Sequence, residues 1–504
     1  MPLLVSDTTI ANSFAPHVED PQIDFYTERT IPMLLSKEGP KIAVGDVNGD
    51  GLDDVYVCGA RNQKKQIYIQ QSSGKFVALE NPNIAKFFDF EDTAVHFFDA
   101  DGDGDLDLYV GSGGNFAGAG ELENQDRLFF NDGKGNFSMH SGSLPSNGMN
   151  TSVVIPCDYD GDGDLDLFVG GRVLPRTYPK ADRSFILRND SKGKDAPLFT
   201  DVTAQVCPEL ANIGMITDAV WADFDGDKLP DLILAGEWMP LTFFKNNKGT
   251  FKNVTTQTGI GDKTGWWSSL VAADFDNDGD MDFVAGNYGE NIYFKGTAAE
   301  PLSIYAKDFD NNGLYDPFIS CFWRDSTDTK HEYFYHSRDD MVKQLILIRR
   351  KYQKYADWGL AQAKDVFTVE ELKGAQIMKA NWLSTSYIEN TGNGTFKITA
   401  LPVEAQLAPV FGILPYDIDK DGLLDVLMVG NDYGMELLQG RADAFNGLVL
   451  HNNGKNNFAP LSMDASHFVV PHDARSLSKV RLATGKELIL AMQNRDALKV
   501  FSLK

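Results

Sequence analysis

Seven short stretches of this chain place carboxylates at alternate positions, a spacing that turns their oxygens onto one point. Each reads D-x-[DN]-x-[DN]-x-x-x-D. The side-chain donors at positions 1, 3, 5 and 9 are Asp46, Asn48, Asp50 and Asp54 in the first stretch, and Asp99, Asp101, Asp103 and Asp107 in the second. Asp158, Asp160, Asp162 and Asp166 form the third, and Asp223, Asp225, Asp227 and Asp231 the fourth. Then follow Asp274, Asp276, Asp278 and Asp282; Asp308, Asp310, Asn312 and Asp316; and Asp417, Asp419, Asp421 and Asp425. Hard oxygens at these positions, with a backbone carbonyl at position 7, suit Ca²⁺, which takes roughly six to eight oxygen ligands. A glycine at position 4 or 6 permits the sharp turn. An EF-hand would need flanking helices and a Glu at position 12, where this chain has Val57, Val110 and Val169 inside apolar runs. One such stretch is a weak signal; seven at one kind of junction exclude chance. Without metal, each cluster holds three or four like charges within roughly 5 Å, a repulsion of several kcal/mol. About seven structural Ca²⁺ ions are therefore expected. Ions enclosed by their own loops lack an open position and make poor Lewis-acid catalysts.

The elements that must position these loops are strands. Ile42-Ala43-Val44 precedes the first loop and Val55-Tyr56-Val57 follows it. Later loops are flanked in the same way, as by Leu167-Phe168-Val169 and Val426-Leu427-Met428-Val429. Such runs are short, rich in β-branched and aromatic residues and bounded by Gly and Asp. Downstream come Asn/Gly-rich hairpins, such as Phe130-Asn131-Asp132-Gly133-Lys134-Gly135 and Ile388-Glu389-Asn390-Thr391-Gly392-Asn393-Gly394, whose Asn and Gly supply positive-φ turn positions. Four antiparallel strands repeated at roughly 50 residues read as propeller blades. The expected fold is an all-β propeller of seven or eight four-stranded blades. Eight is preferred, the alternative being seven with the Asp308 hairpin as a decoration. Residues 1–21 read as an extension and 22–504 as one propeller. Residues 24–31 are expected to complete a C-terminal blade over 477–503 that has lost its acidic loop. Met341, Leu345, Ile348, Tyr352 and Tyr355 recur at helical spacing, and Thr368-Val369-Glu370-Glu371 has capping-box form. A helical insertion over about 325–380 follows, between strands 2 and 3 of the sixth unit, as a scaffold patch or as a lid or partner surface.

Composition bounds the rest. The chain has 504 residues, 42% of them hydrophobic, with a formal charge of −26. That apolar content supports a large core, and the acidic balance excludes a broad nucleic-acid surface. No apolar run reaches the roughly 18–20 residues of a membrane span. Met1–Asp7 lacks signal-peptide features, so the chain is read as cytoplasmic or as a mature portion of a secreted protein; the calcium chemistry favours the second. Four Cys are no disulfide framework. Cys58, Cys157 and Cys321 read as unpaired core residues, while Cys207 could pair with any of them.

The loops resemble the FG-GAP/VCBS repeats of integrin-α-type β-propellers over about residues 22–504. Gly45–Asp54, Thr264-Gly265-Trp266-Trp267 and Glu237-Trp238-Met239-Pro240 are similar to the propeller portion of large secreted Bacteroidota VCBS proteins, which often carry ASPIC/UnbV domains. No such domain is evident in this sequence. The resemblance implies a calcium-loaded, secreted or cell-surface module.

In this topology the acidic loops and the strand 2–3 loops lie on opposite rims. Arg172, Arg176, Tyr178, Trp238, Tyr288 and Tyr433 fall in strand 2–3 loops, and Trp323 falls beside the insertion. Arg and aromatics converging on one rim suit a glycan, peptide or protein partner, or else brace loops over the channel mouth. No nucleophile elbow, HExxH or phosphate loop is present. A non-catalytic binding or adhesion module is the leading expectation. A glycan-active enzyme resembling polysaccharide lyases is the alternative; it should set a base beside an open metal.

Overall fold

The computed structural model describes residues 3–192 and 197–504. It contains eight antiparallel sheets, and the contacts of their first strands show which of them form the ring. The innermost strands, Ile42–Gly45, Asp92–Phe98, Thr151–Cys157, Met215–Ala222, Ser269–Ala273, Val410–Tyr416 and Ala474–Arg481, each touch the next, and the last touches the first. These seven strands head blades one to seven.

Packing gives the same count. Seven apolar clusters each join two adjacent blades, from Tyr56, Ile67, Phe97 and Leu108 between blades one and two to Val55, Tyr68, Val480 and Leu488 between seven and one. Successive residues of a second strand serve opposite interfaces: Leu232 packs toward blade three and Ile233 toward blade five. A strand buried on both faces reads as a continuous apolar run, which is why these strands show no alternation in the sequence.

The eighth sheet lies outside the ring. Its strands Leu302–Lys307, Asp316–Arg324, Lys330–Phe334 and Gln376–Ala380 pair in the order third, second, first, fourth. It is inserted between strand 2 of blade five (Asp282–Gly286) and strand 3 (Ser386–Asn390). The preference for eight thus counts sheets, while the ring itself has seven blades. The insertion spans a whole sheet, with four short helices between Arg338 and Val366, rather than helices alone. Met341, Leu345 and Ile348 do pack inward, onto Phe318 and Phe334. Thr368 and Glu371 make the reciprocal capping-box bonds, yet the chain continues as turns rather than a second long helix.

Blade seven is closed by the N-terminus, at a different segment from the expected one. Leu4–Ser6 pairs with Lys499–Leu503, and Leu4 is fully buried among Leu427, Val449 and Phe501. Residues 24–31 form no strand. They belong to a strap that crosses the strand 2–3 face, because Ile31, Met33 and Leu35 have an apolar cluster to enter there. The four cysteines are all free; Cys157 is half-buried and the other three are buried.

The acidic loops and the capped face

Each acidic loop is wound around its first carboxylate. Asp46 accepts from the backbone N–H groups of Gly49 and Gly51 at 2.8 and 2.7 Å, and Asp158 from Gly161 and Gly163 at 2.8 and 3.1 Å. The position-9 carboxylate lies beneath the loop at the start of strand 2, fully buried. Asp54, Asp107, Asp166, Asp231 and Asp425 each accept from the backbone N–H at the end of strand 3. Burial pushes the carboxyls of Asp54, Asp107, Asp166 and Asp231 up to about 7, and the neighbouring loop carboxylates add to the rise. Asp282 and Asp316 are pushed up to about 6 for the same reason.

This donor set fits a hard divalent cation. Oxygens of Asp99, Asp101 and Asp107, of Asp158, Asp160 and Asp166, of Asp223, Asp225 and Asp231, and of Asp274, Asp276 and Asp278 lie within 4.8 Å of one another. In the Asp417 loop, His451 joins Asp419 and Asp425. Buried carboxylate oxygens with no hydrogen-bond partner point the same way: Asp166 Oδ2 and Asp310 Oδ1.

A further repeat had a signal that the sequence reading assigned to turns. At the end of strand 3 in blades two to six stands an Asn: Asn131, just beyond Arg127–Phe129, then Asn189, Asn246, Asn390 and Asn452. Its amide donates across the blade boundary to the position-2 carbonyl of the preceding blade's acidic loop. The acceptors are Val47, Ala100, Tyr159, Phe224 and Phe275, at 2.7–3.0 Å. Blade seven has no acidic loop, and there Gln70 supplies the longer reach to Arg481 O at 3.0 Å. The positive-φ work of these hairpins falls instead on residues such as Gly133, Gly135 and Gly249. The recurrence of one Asn at one position is what could have revealed the latch.

Six of the seven loops belong to ring blades; the Asp308 loop does not. It sits on the inserted sheet, where its Leu314 faces the same groove as the strap's Tyr26 and the strand 2–3 loop residues Phe116 and Arg176. There Asp316 accepts from the Gln344 side chain at 2.7 Å, in place of a strand-3 backbone group, and Gln344 accepts from Arg29 of the strap at 3.1 Å.

The expected ligand rim is mostly covered. Tyr178, Trp238 and Tyr288 are buried in one cluster with Met33 of the strap and Ile304, Ile319 and Cys321 of the inserted sheet. Arg172 is committed to Glu38 and Glu237; Tyr178 donates to Glu237 and accepts from Trp238 Nε1 at 2.7 Å. These four residues brace the channel mouth, a correction that follows from the apolar strap and sheet laid over them. Tyr433 is half-buried, under Arg441 and against Asp473.

Arg176 and Trp323 remain accessible, in different grooves. Arg176 borders a groove of about 690 Å³ beside the strap, where Arg61 stacks on Phe116 with 3.2 Å to the ring centroid. Trp323 borders a groove of about 530 Å³ on the inserted sheet, with Tyr333, Trp358 and His336. Among the described residues no helix is long and apolar enough to cross a membrane.

The FG-GAP-like repeat family model matches residues 46–110, 116–169 and 223–285, and the FG-GAP repeat model matches 266–305. No curated protein matches the sequence. Among solved structures, the chain is similar to BBS1N in complex with ARL6DN at 10% identity and TM-score 0.43, with 94% of each chain covered. It is similar to YCF48 bound to D1 peptide at 8% identity and TM-score 0.43, with 97% of each covered. The Vibrio cholerae biofilm matrix protein Bap1 follows at 11% identity and TM-score 0.36, covering 97% of this chain and 90% of that one.

Proposed function

We propose that this chain, a β-propeller built on FG-GAP repeats, is a calcium-stabilised binding module that works outside the cell or on its surface. It would take a glycan, peptide or protein partner on the capped face. Ca²⁺ would supply charge neutralisation at the loops, while the carboxylates at positions 1, 3, 5 and 9 hold it and the strand-3 latch ties each loaded loop to its neighbour. Loop occupancy would then be a condition of ring stability and not a step in any reaction.

The observation that carries the binding assignment is the groove beside Trp323. The strap and inserted sheet bury most of the strand 2–3 loops but leave Trp323, Tyr333 and Trp358 partly exposed around an open groove, with Arg324, Asp325 and His336 along it. Aromatic faces with a few polar groups suit sugar rings or peptide side chains. The test is a glycan and peptide array probed with the calcium-loaded protein, followed by Trp323→Ala and Arg176→Ala in folded protein. Loss of an aromatic anchor should weaken binding about thirtyfold, or about 2 kcal/mol. A ligand that binds Trp323→Ala unchanged overturns this placement of the site.

A further inference from the structure

Blade four departs from the other acidic loops in a way that bears on how many ions the ring holds. Its loop, Asp223–Asp231, has the same winding: Asp223 accepts from the backbone N–H groups of Gly226 and Lys228, both at 2.8 Å. Position 6, however, is Lys228, held at φ +69°, where the other six loops have Gly51, Gly104, Gly163, Gly279, Gly313 and Gly422. A non-glycine residue in this left-handed region costs about 1 kcal/mol, so the loop keeps its shape against a local penalty.

The second departure is a cation. The residue just before the latch Asn differs from blade to blade, and in two blades it reaches the acidic loop of its own blade. In blade six this is His451, 3.0 Å from Asp425 and 3.6 Å from Asp419. In blade three it is Arg188, which turns aside to Asp190 at 2.9 Å. In blade five it is Glu389, paired with Lys397 at 3.0 Å. In blade four it is Lys245, whose ammonium contacts Asp225 and lies 2.9 Å from Asp227. Asp225 and Asp227 are the position-3 and position-5 donors. An ammonium between them lies where a divalent ion would draw on the same oxygens, and it brings its three donors on the chain itself.

We propose that Lys245 is a tethered counter-cation that takes the place of Ca²⁺ in blade four, so that this loop folds without metal while the others load. The inference rests on the calcium reading of the remaining loops. A lysine fixed in the chain cannot be diluted or chelated, so blade four would hold its strand junction when the other blades lose their ions.

The experiment is an ion count by native mass spectrometry of the full chain at saturating Ca²⁺, for wild type, Lys245→Met and Glu389→Lys. Lys245→Met removes the ammonium and keeps the stem, and should bind one more Ca²⁺ than wild type. Glu389→Lys puts an ammonium at the same register of blade five and should bind one fewer. The gain in Lys245→Met supports the proposal; if that variant does not fold, a wild-type count one short of the seven loops together with the loss in Glu389→Lys supports it instead. Equal counts in wild type and folded Lys245→Met overturn it. A wild-type chain that binds no Ca²⁺ defeats the calcium reading and this inference together, whereas a wild-type count of seven defeats this inference alone.

Discussion

On one face of the propeller, six blades repeat one nine-residue pattern at the same strand junction, and each is stitched to the preceding blade by a side-chain amide, Asn in five of them and Gln70 in blade one. On the other face the cover does not repeat. A strap from residues 17–38 and a sheet inserted in blade five cover the strand 2–3 loops through single contacts, such as Leu34 N–H to Gly434 O at 2.8 Å and Glu436 N–H to Pro32 O at 2.9 Å. The first face derives its order from copies of one local solution and, on the calcium proposal, depends on neutralising its carboxylates. The second depends on burying Ile31, Met33, Trp238 and Trp266 among partners far away in the chain. The two faces should therefore fail under different insults.

The largest difference is expected on chelation. EDTA should lower the melting temperature strongly, because every ion bound to the native state alone contributes about 2.7 kcal/mol at a hundredfold excess over its Kd, and several act together. Differential scanning calorimetry in millimolar Ca²⁺ and in EDTA checks this. A melting temperature indifferent to Ca²⁺ would make the acidic face a set of solvated turns and erase the contrast.

A smaller effect separates closure from capping. Leu4 is fully buried in the closing strand, whereas Tyr26 in the strap is 72% exposed. Leu4→Ala should cost about 2–5 kcal/mol and Tyr26→Ala less than about 0.5 kcal/mol. Urea unfolding of the two variants would reverse the assignment if Tyr26→Ala proved the more damaging.

The latch comes next. Asn452→Ala deprives the carbonyls of Phe275 and Leu424 of their donor, at 2.7 and 3.1 Å, and should cost about 1–3 kcal/mol. Hydrogen exchange should then rise at the boundary of blades five and six ahead of other boundaries. Uniform loosening would show that the latch adds nothing specific to its own boundary.

What the sequence disclosed follows the same division. The acidic nonapeptides and apolar flanks were legible because each position has one environment, visited repeatedly: an Asp at position 9 is always the buried start of strand 2. Ring closure by the N-terminus was legible in principle but placed at residues 24–31 rather than Leu4–Ser6, since a three-residue edge strand leaves almost no pattern. The cap was not legible. Arg172, Tyr178 and Trp238 look like exposed recognition residues until Glu38 and Met33, more than a hundred positions away, are seen against them. The inserted sheet carries its own acidic loop, so by motif alone it reads as a blade; the short step from Asp274 to Asp308 is the hint in the sequence, and the ring contacts and the strand order, with the fourth strand beside the first, give it away.

The smallest predicted effect isolates the capped face by pH. Glu28 of the strap is buried against Asn115, and burial pushes its carboxyl from 4.5 up to about 7, with Asp24 adding to the rise. A carboxyl whose folded value is raised binds its proton more tightly in the native state. Its contribution is therefore fully present below pH 4.5 and is lost as pH rises through about 7. At about 1.4 kcal/mol per unit the full shift corresponds to roughly 3 kcal/mol, which relaxation of the strap should reduce to about 1–2 kcal/mol. Glu28→Gln keeps the shape and removes the titration. Wild type should thus lose stability between pH 5 and 8 relative to Glu28→Gln, with the two curves converging at low pH. The comparison belongs in saturating Ca²⁺, where the acidic loops are held charged and the difference between the variants reports the strap. Parallel curves over that window would mean that Glu28 stays ionised within the fold and adds no pH dependence to the strap.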